Sequence, residues 1–169
     1  FEEIAKTTDR FITVPYKDNN KYLYSEDGEK WVQKEGGTNS SAYYDNICYG
    51  NGIFVATSEA IGSIIYSTDC KTWNIVDNFS DTVQGLCFAL EKFWIVSSKN
   101  IYNSEDGVNW TLVSSNTNFS SIYKIKFING KFFLVGSRSY NSDTFPAFAY
   151  STDGENWEFK WSSATSNKG

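Results

Sequence analysis

Carboxylates are where this sequence first offers chemistry. Asp27, Asp69, Asp106 and Asp153 recur at spacings of 42, 37 and 47 residues. Each follows a serine by two positions (Ser25, Ser67, Ser104, Ser151) and precedes a tryptophan by four (Trp31, Trp73, Trp110, Trp157). Such a set could bind calcium or act in catalysis only if its members converged on one point. A period near forty residues instead assigns one aspartate to each unit of a repeat architecture. The four are therefore expected at separate corners, with no metal and no cofactor. A second set, Asp18, Asp45, Glu59, Asp81 and Asp143, falls in connecting segments, and glycoside hydrolysis needs two carboxylates about 5–10 Å apart across a sugar. In a chain with 20 Asp and Glu these scattered acids read as solvated surface. There is no histidine, and the cysteines are Cys48, Cys70 and Cys87. Cys48 and Cys87 occupy matching places (Ile47-Cys48-Tyr49 and Leu86-Cys87-Phe88), which suits small apolar core residues better than redox or zinc chemistry.

The elements that position the recurring aspartates are strands. An Asp that opens a tight bend accepts backbone N–H bonds from the residues after it, and an adjacent Gly supplies positive φ. Gly28, Gly107 and Gly154 hold that place in three copies, and Cys70 holds it in the fourth. Because a side chain at positive φ costs about 1–2 kcal/mol, a relaxed bend without positive φ is expected at Cys70. β-formers such as Tyr22-Leu23-Tyr24 and Ile64-Ile65-Tyr66 lead into the copies, and Asn74-Ile75-Val76 or Thr111-Leu112-Val113 leads out. Each copy is then a corner between two strands, pinned by its tryptophan.

The corners resemble the Asp box, or bacterial neuraminidase repeat, Ser/Thr-x-Asp-x-Gly-x-x-Trp/Phe, over essentially the whole chain. The resemblance implies a sialidase-like β-propeller in which Ser25, Asp27, Gly28, Trp31, Ser67, Asp69, Trp73, Ser104, Asp106, Gly107, Trp110, Ser151, Asp153, Gly154 and Trp157 are structural. It does not imply an activity. Enzymes of that family clamp a sialic acid carboxylate with three arginines, whereas this chain has only Arg10 and Arg138. The family's Arg-Ile-Pro element is also missing, so no catalytic residue is carried over and the chain is read as a non-enzyme.

A second unit precedes each corner. Ile47–Ala56 aligns with Ile125–Leu134, both with Asn-Gly at the centre, and more loosely with Leu86–Ile95 and Ile4–Thr13. Asn-Gly between apolar segments signals a type I′ hairpin. Each repeat thus reads as four strands, two joined by this turn and two by the Asp corner, which is the signature of a propeller blade. The expected fold is all-β, with four four-stranded antiparallel blades at about 1–34, 44–77, 83–114 and 122–161 in a single domain. How the ring closes is left open: four tight blades, further blades, or a homo-oligomer.

Composition narrows the partners. Aromatic content of 18%, two prolines and few helix-forming runs fit β structure. A net charge of −5 repels nucleic acid phosphates, and no run reaches the ~20 apolar residues a membrane helix needs. Connections after the second and fourth strands share one face, and in sialidase-like propellers the ligand face lies opposite the boxes. Those loops carry Tyr16, Tyr43, Tyr44, Phe79, Phe119, Tyr140 and Phe145. The chosen cluster is Tyr43, Tyr44 and Asp45 with Tyr140 and Asp143, since aromatic faces stack on sugars and anchor protein surfaces. The paired units are similar to repeats of bacterial surface and phage tail proteins. Attachment to a glycan or surface protein, at a cell surface or virion, is the leading expectation. A fragment of a larger glycoside hydrolase and a scaffold in an assembly are the alternatives.

Overall fold

A computed structural model describes residues 4–7, 10–13, 21–35, 44–60, 62–70, 72–77, 79–115 and 118–161. They form four sheets of four strands each, taken in chain order within every sheet. The first holds β1 (Ile4–Lys6), β2 (Phe11–Thr13), β3 (Lys21–Ser25) and β4 (Val32–Glu35). The second holds β5 (Asn46–Gly50), β6 (Ile53–Ser58), β7 (Ser63–Ser67) and β8 (Asn74–Ile75). The third holds β9 (Gly85–Ala89), β10 (Lys92–Ser97), β11 (Asn100–Ser104) and β12 (Thr111–Ser115). The fourth holds β13 (Ser121–Ile128), β14 (Lys131–Tyr140), β15 (Asp143–Ser151) and β16 (Glu158–Trp161). Every pairing is antiparallel, as in the blades of a propeller.

The Asn-Gly hairpins form as their chemistry dictates. Asn51 and Gly52 take φ of 48° and 83°, and Asn129 and Gly130 take 49° and 76°, both central residues of each turn lying in the left-handed region. Leu90 and Glu91 do the same at 51° and 60° without a glycine. At the Asp corners the three glycines take φ of 69–80°, and Cys70 joins them at 64°. The expectation of a relaxed second corner is therefore wrong. The Cys70 N–H donates to Ser67 Oγ at 2.9 Å, the same bond that Gly28 and Gly154 make at 2.8 Å, and its side chain is buried. Hydrogen bonding and burial together offset a strain of about 1–2 kcal/mol.

Alternation along the strands gives every sheet two faces, and apolar layers form where neighbouring sheets meet. The first layer joins Ala5, Ile12 and Tyr22 to Ile47, Phe54 and Trp73. The second joins Val55 and Ile64 to Leu86, Phe93 and Ile95, and the third joins Trp94, Val96 and Ile101 to Ile125, Phe132 and Leu134. The first strands run side by side, β1 by β5, β5 by β9 and β9 by β13. Among the described residues β13 and β1 make no comparable contact. Among the described residues three apolar layers bind the four sheets, and no layer joins the fourth sheet to the first, so the four form an arc.

Candidate functional site

The corner aspartates are occupied in holding their own turns. Asp153 Oδ1 accepts the N–H groups of Glu155 and Asn156 and the Ser151 hydroxyl, all at 2.8 Å, while Trp157 Nε1–H donates to the Gly154 carbonyl at 3.0 Å. Asp27 repeats this with Glu29, Lys30 and Ser25, and Trp31 with Gly28. Asp69 accepts from Thr72 N–H and Ser67 Oγ. Asp106 accepts the N–H groups of Val108 at 2.9 Å and Asn109 at 2.7 Å. Among the described residues no three His, Cys, Asp or Glu side chains come together as a metal group.

This bonding shows in the proton affinities. Burial pushes the Asp106 carboxyl up, but the Asn109 N–H and side-chain amide, the Val108 N–H and the Ser104 hydroxyl outweigh it and hold the group at about 2. The Asn156 amide and N–H hold Asp153 lower still, and the Lys30 and Glu29 N–H groups depress Asp27. A folded-state carboxyl held below its unfolded value near 4 contributes stability above that value and loses it as pH falls through the folded one. Urea unfolding is therefore expected to weaken from about pH 4 down to pH 2. Asp106→Asn should cost about 1 kcal/mol at neutral pH after allowance for solvent screening, and should flatten part of that slope. Equal acid slopes for the variant and the parent would remove the corner from the account.

The residues chosen as ligand groups are dispersed. Tyr43 lies outside the described residues. Tyr44 is only 6% exposed and packs in the first layer, so its ring is core and not a loop-face platform. Asp45 Oδ2 accepts the Glu59 N–H at 2.8 Å and so braces the turn between β6 and β7. Phe119 is likewise buried, and Phe79 packs edge-on to Tyr102 with centroids 5.2 Å apart. These loops bury aromatics because they span the seams between sheets, where apolar partners already exist.

Tyr140 and Asp143 sit elsewhere, and together. The segment read as a loop between Gly136 and Pro146 is strand: Ser137↔Pro146, Arg138↔Phe145, Ser139↔Thr144 and Tyr140↔Asp143 continue the β14–β15 pairing. In the third sheet the equivalent pairing stops at Ser97↔Asn100. At about 3.3 Å per residue the four added rungs carry the hairpin some 13 Å further. Asn141 and Ser142 close it with φ of 50° and 68°, leaving Tyr140 61% exposed at the tip with exposed Asp143 opposite.

Two concavities have no signature in the sequence. The first strands of all four sheets line one of about 800 Å³. Lys6, Lys124 and Lys126 face it beside Tyr49 and Phe88, with no carboxylate among its lining residues. In a chain of net charge −5 this is a local concentration of positive charge. Lys124 Nζ donates to Asn46 Oδ1 at 2.7 Å, and Lys6 Nζ lies 5.2 Å from the centre of the Phe11 ring. The signal was the placement of lysines on inward strands, invisible until the strands were arranged.

The second is a cleft of about 490 Å³ at the seam of the second and third sheets, walled by Tyr66, Tyr102, Phe79 and Trp110. Trp110 Nε1 is buried and, unlike Trp31 and Trp157, has no hydrogen-bond partner among the described residues. The Tyr102 hydroxyl donates to Asp81 Oδ2 at 2.5 Å, and Asn100 Nδ2 donates to the same oxygen at 3.0 Å. Those two donors hold the Asp81 carboxyl below its ordinary range. Burial and the carboxylate push the Tyr102 phenol up to about 12. The pair joins the segment before β9 to β11 and so braces the seam.

No family model matches the chain, and no curated protein sequence does. Solved structures do match, and those with the features above are β-propellers. The chain is 17% identical to YCF48 in a peptide complex, over 95% of this chain and 52% of that one, with a TM-score of 0.63. It is 12% identical to an inactive virginiamycin B lyase from Staphylococcus aureus holding quinupristin, over 96% and 55%, at 0.72. It is 12% identical to a chain of a nidogen/laminin complex, over 88% and 60%, at 0.62. Identities this low establish the fold alone, and the chain spans little more than half the length of these propellers: the molecule is an all-β propeller-type arc of four four-stranded antiparallel sheets.

Proposed function

We propose that this chain is a non-catalytic recognition module of the Asp-box kind, which engages a glycan or a surface protein through its loop face. The observation that carries this reading is the extended β14–β15 hairpin, which holds Tyr140 and Asp143 as neighbours on a paired backbone. An aromatic ring fixed beside a carboxylate stacks on a sugar or seats in a protein surface while losing little entropy. Paired strands make a stiffer arm than a loop, so the ring's position is set before the ligand arrives. The corner aspartates are taken up by their own turns, and the exposed pair of Tyr140 and Asp143 suits recognition. A protein ligand is favoured over a glycan in one respect: the similar structures include propellers solved with a peptide and with a protein partner.

The test compares the protein with Tyr140→Ala on a glycan array and on immobilised cell-surface protein. Loss of one stacked ring is expected to weaken binding about tenfold, with the melting temperature unchanged. Binding that survives both Tyr140→Ala and Asp143→Ala at full strength would remove the hairpin from the reading.

A further inference from the structure

We propose that the cleft between the second and third sheets is a binding site for an uncharged sugar ring. Its walls come from β7, β8, β11, β12, the third corner and the segment between β8 and β9, so no residue of the first or fourth sheet lines it. It stands apart from the Tyr140 hairpin. This seam is open where its neighbours are sealed. Each seam receives an aromatic from the segment ahead of a first strand: Tyr44 ahead of β5, Phe79 ahead of β9 and Phe119 ahead of β13. Tyr44 and Phe119 are 6% and 1% exposed and belong to the core, whereas Phe79 is half-buried beside a space of about 490 Å³. That is the size of a small-molecule site.

The Trp110 ring departs from the corner pattern at this same place. Trp31 and Trp157 donate their indole N–H groups to the Gly28 and Gly154 carbonyls, whereas Trp110 Nε1 has no hydrogen-bond partner among the described residues, although Gly107 holds the matching position. The ring lies instead against Phe79, with centroids 6.3 Å apart, and Phe79 meets Tyr102 edge-on at 5.2 Å. A buried donor left unpaired is a cost that calls for a reason, and here the ring serves as a wall of the cleft. Asp81 holds the Tyr102 hydroxyl, so the walls are set before a ligand arrives. The lining then selects the ligand. Aromatic faces stack on the C–H face of a sugar, and its hydroxyls need acceptors and donors at the edge, which the exposed Asp77, Ser80 and Thr111 supply. The charged lining residues are Asp77 and Asp81, with no lysine or arginine among them. A carboxylate, phosphate or sulfate on the ligand would meet like charge with no cation to pair with. An uncharged hexose or N-acetylhexosamine uses all of these groups. An apolar peptide side chain would stack as well but leave the polar edge unused.

The experiment titrates the protein with uncharged oligosaccharides of glucose, galactose, mannose and N-acetylglucosamine, and with sialylated and sulfated counterparts, by saturation-transfer NMR and calorimetry. At least one uncharged series is expected to bind, and more tightly than its acidic counterparts. Phe79→Ala should weaken that binding about tenfold. Thr111→Trp fills the cleft from an exposed position and removes no core group, so it should abolish binding with the melting temperature unchanged. Binding that is weakened by Tyr140→Ala and untouched by Thr111→Trp places the sugar on the hairpin and overturns this inference alone. The reverse result supports the cleft and counts against the hairpin. A preference for the acidic sugars overturns the inference too. So does a panel with no uncharged binder, whether or not a tryptophan-rich peptide binds in a way that Thr111→Trp blocks.

Discussion

Trp94→Ala is expected to lower the unfolding free energy by about 3–5 kcal/mol, a large part of the 5–15 kcal/mol typical of a domain. Trp94 is 2% exposed, lies 4.8 Å from the Phe132 ring centre, and donates its indole N–H to the Ala89 carbonyl at 2.9 Å. Alanine would remove the ring from the third layer, leave a cavity and orphan a buried carbonyl. The neighbourhood cannot collapse to fill it, because strands on both sides are fixed in register. The melting temperature should fall by roughly 10 °C, at about 2–4 °C per kcal/mol for a chain of this length. Trp94→Phe keeps most of the ring and should cost about half as much. In an arc each sheet touches only its neighbours, so the fourth sheet is held to the rest by this one layer. The variant should therefore show a shallower urea dependence as the fourth sheet begins to open separately. A loss under 1 kcal/mol with an unchanged slope would mean that the layer does not hold the sheets together.

What could be read from the sequence follows the range of the forces involved. Asn51-Gly52 and the Ser-x-Asp corners are decided within a few residues, by φ and by hydrogen bonds to the next turn, and these local features formed as expected. Where a distant partner decides, local reading failed. Cys70 adopts φ of 64° because the corner's hydrogen bonds and a buried site outweigh its strain, and that site belongs to another sheet. Tyr44 looks like a loop aromatic until Ile12 and Tyr22, from the preceding repeat, are placed against it. Ser137-Arg138-Ser139 shows no apolar alternation, so the sequence does not mark the far end of the β14–β15 hairpin as strand. A projecting hairpin has no core to face and so needs none. The residue types of Tyr140 and Asp143 mark them as binding groups, but the stiffness of their support is not legible in the sequence. The basic concavity was hidden more deeply, since Lys6 comes to line one space with Lys124 and Lys126 only when the first strands of the four sheets are set side by side.

The corners also show how this architecture employs carboxylates as turn-formers. In Asp27, Asp106 and Asp153 the Oδ1 atom that accepts two N–H bonds and a hydroxyl has little lone-pair capacity left. Its low proton affinity makes it a poor base as well. Repetition here multiplies a local turn and not a catalytic group, so any ligand chemistry falls to parts that depart from the repeat. The fourth sheet departs most, in its long hairpin and in the lysines of its first strand.

Gly154→Ala should destabilise by about 2–5 kcal/mol, and the environment, more than the residue, decides the size. Gly154 sits at φ of 80°, where a side chain costs about 1–2 kcal/mol. The new methyl would also lie 2.4–2.9 Å from three atoms of the Trp94 ring, adding an overpacking cost of about 1–3 kcal/mol. Gly130 provides the control. Its φ is 76°, but nothing lies within 4 Å of the absent Cβ, so Gly130→Ala should show the backbone cost alone. The difference between the two variants, measured by urea unfolding, isolates the contact across the third layer. Combining Gly154→Ala with Trp94→Ala removes the clash, so the double variant should be less destabilised than the sum of the singles by about 1–3 kcal/mol. If Gly154→Ala matched Gly130→Ala, or if the two changes simply added, the ring would not be seated on the corner. The same test then measures how far contact between neighbouring sheets, and not the backbone alone, sets the stability of a corner.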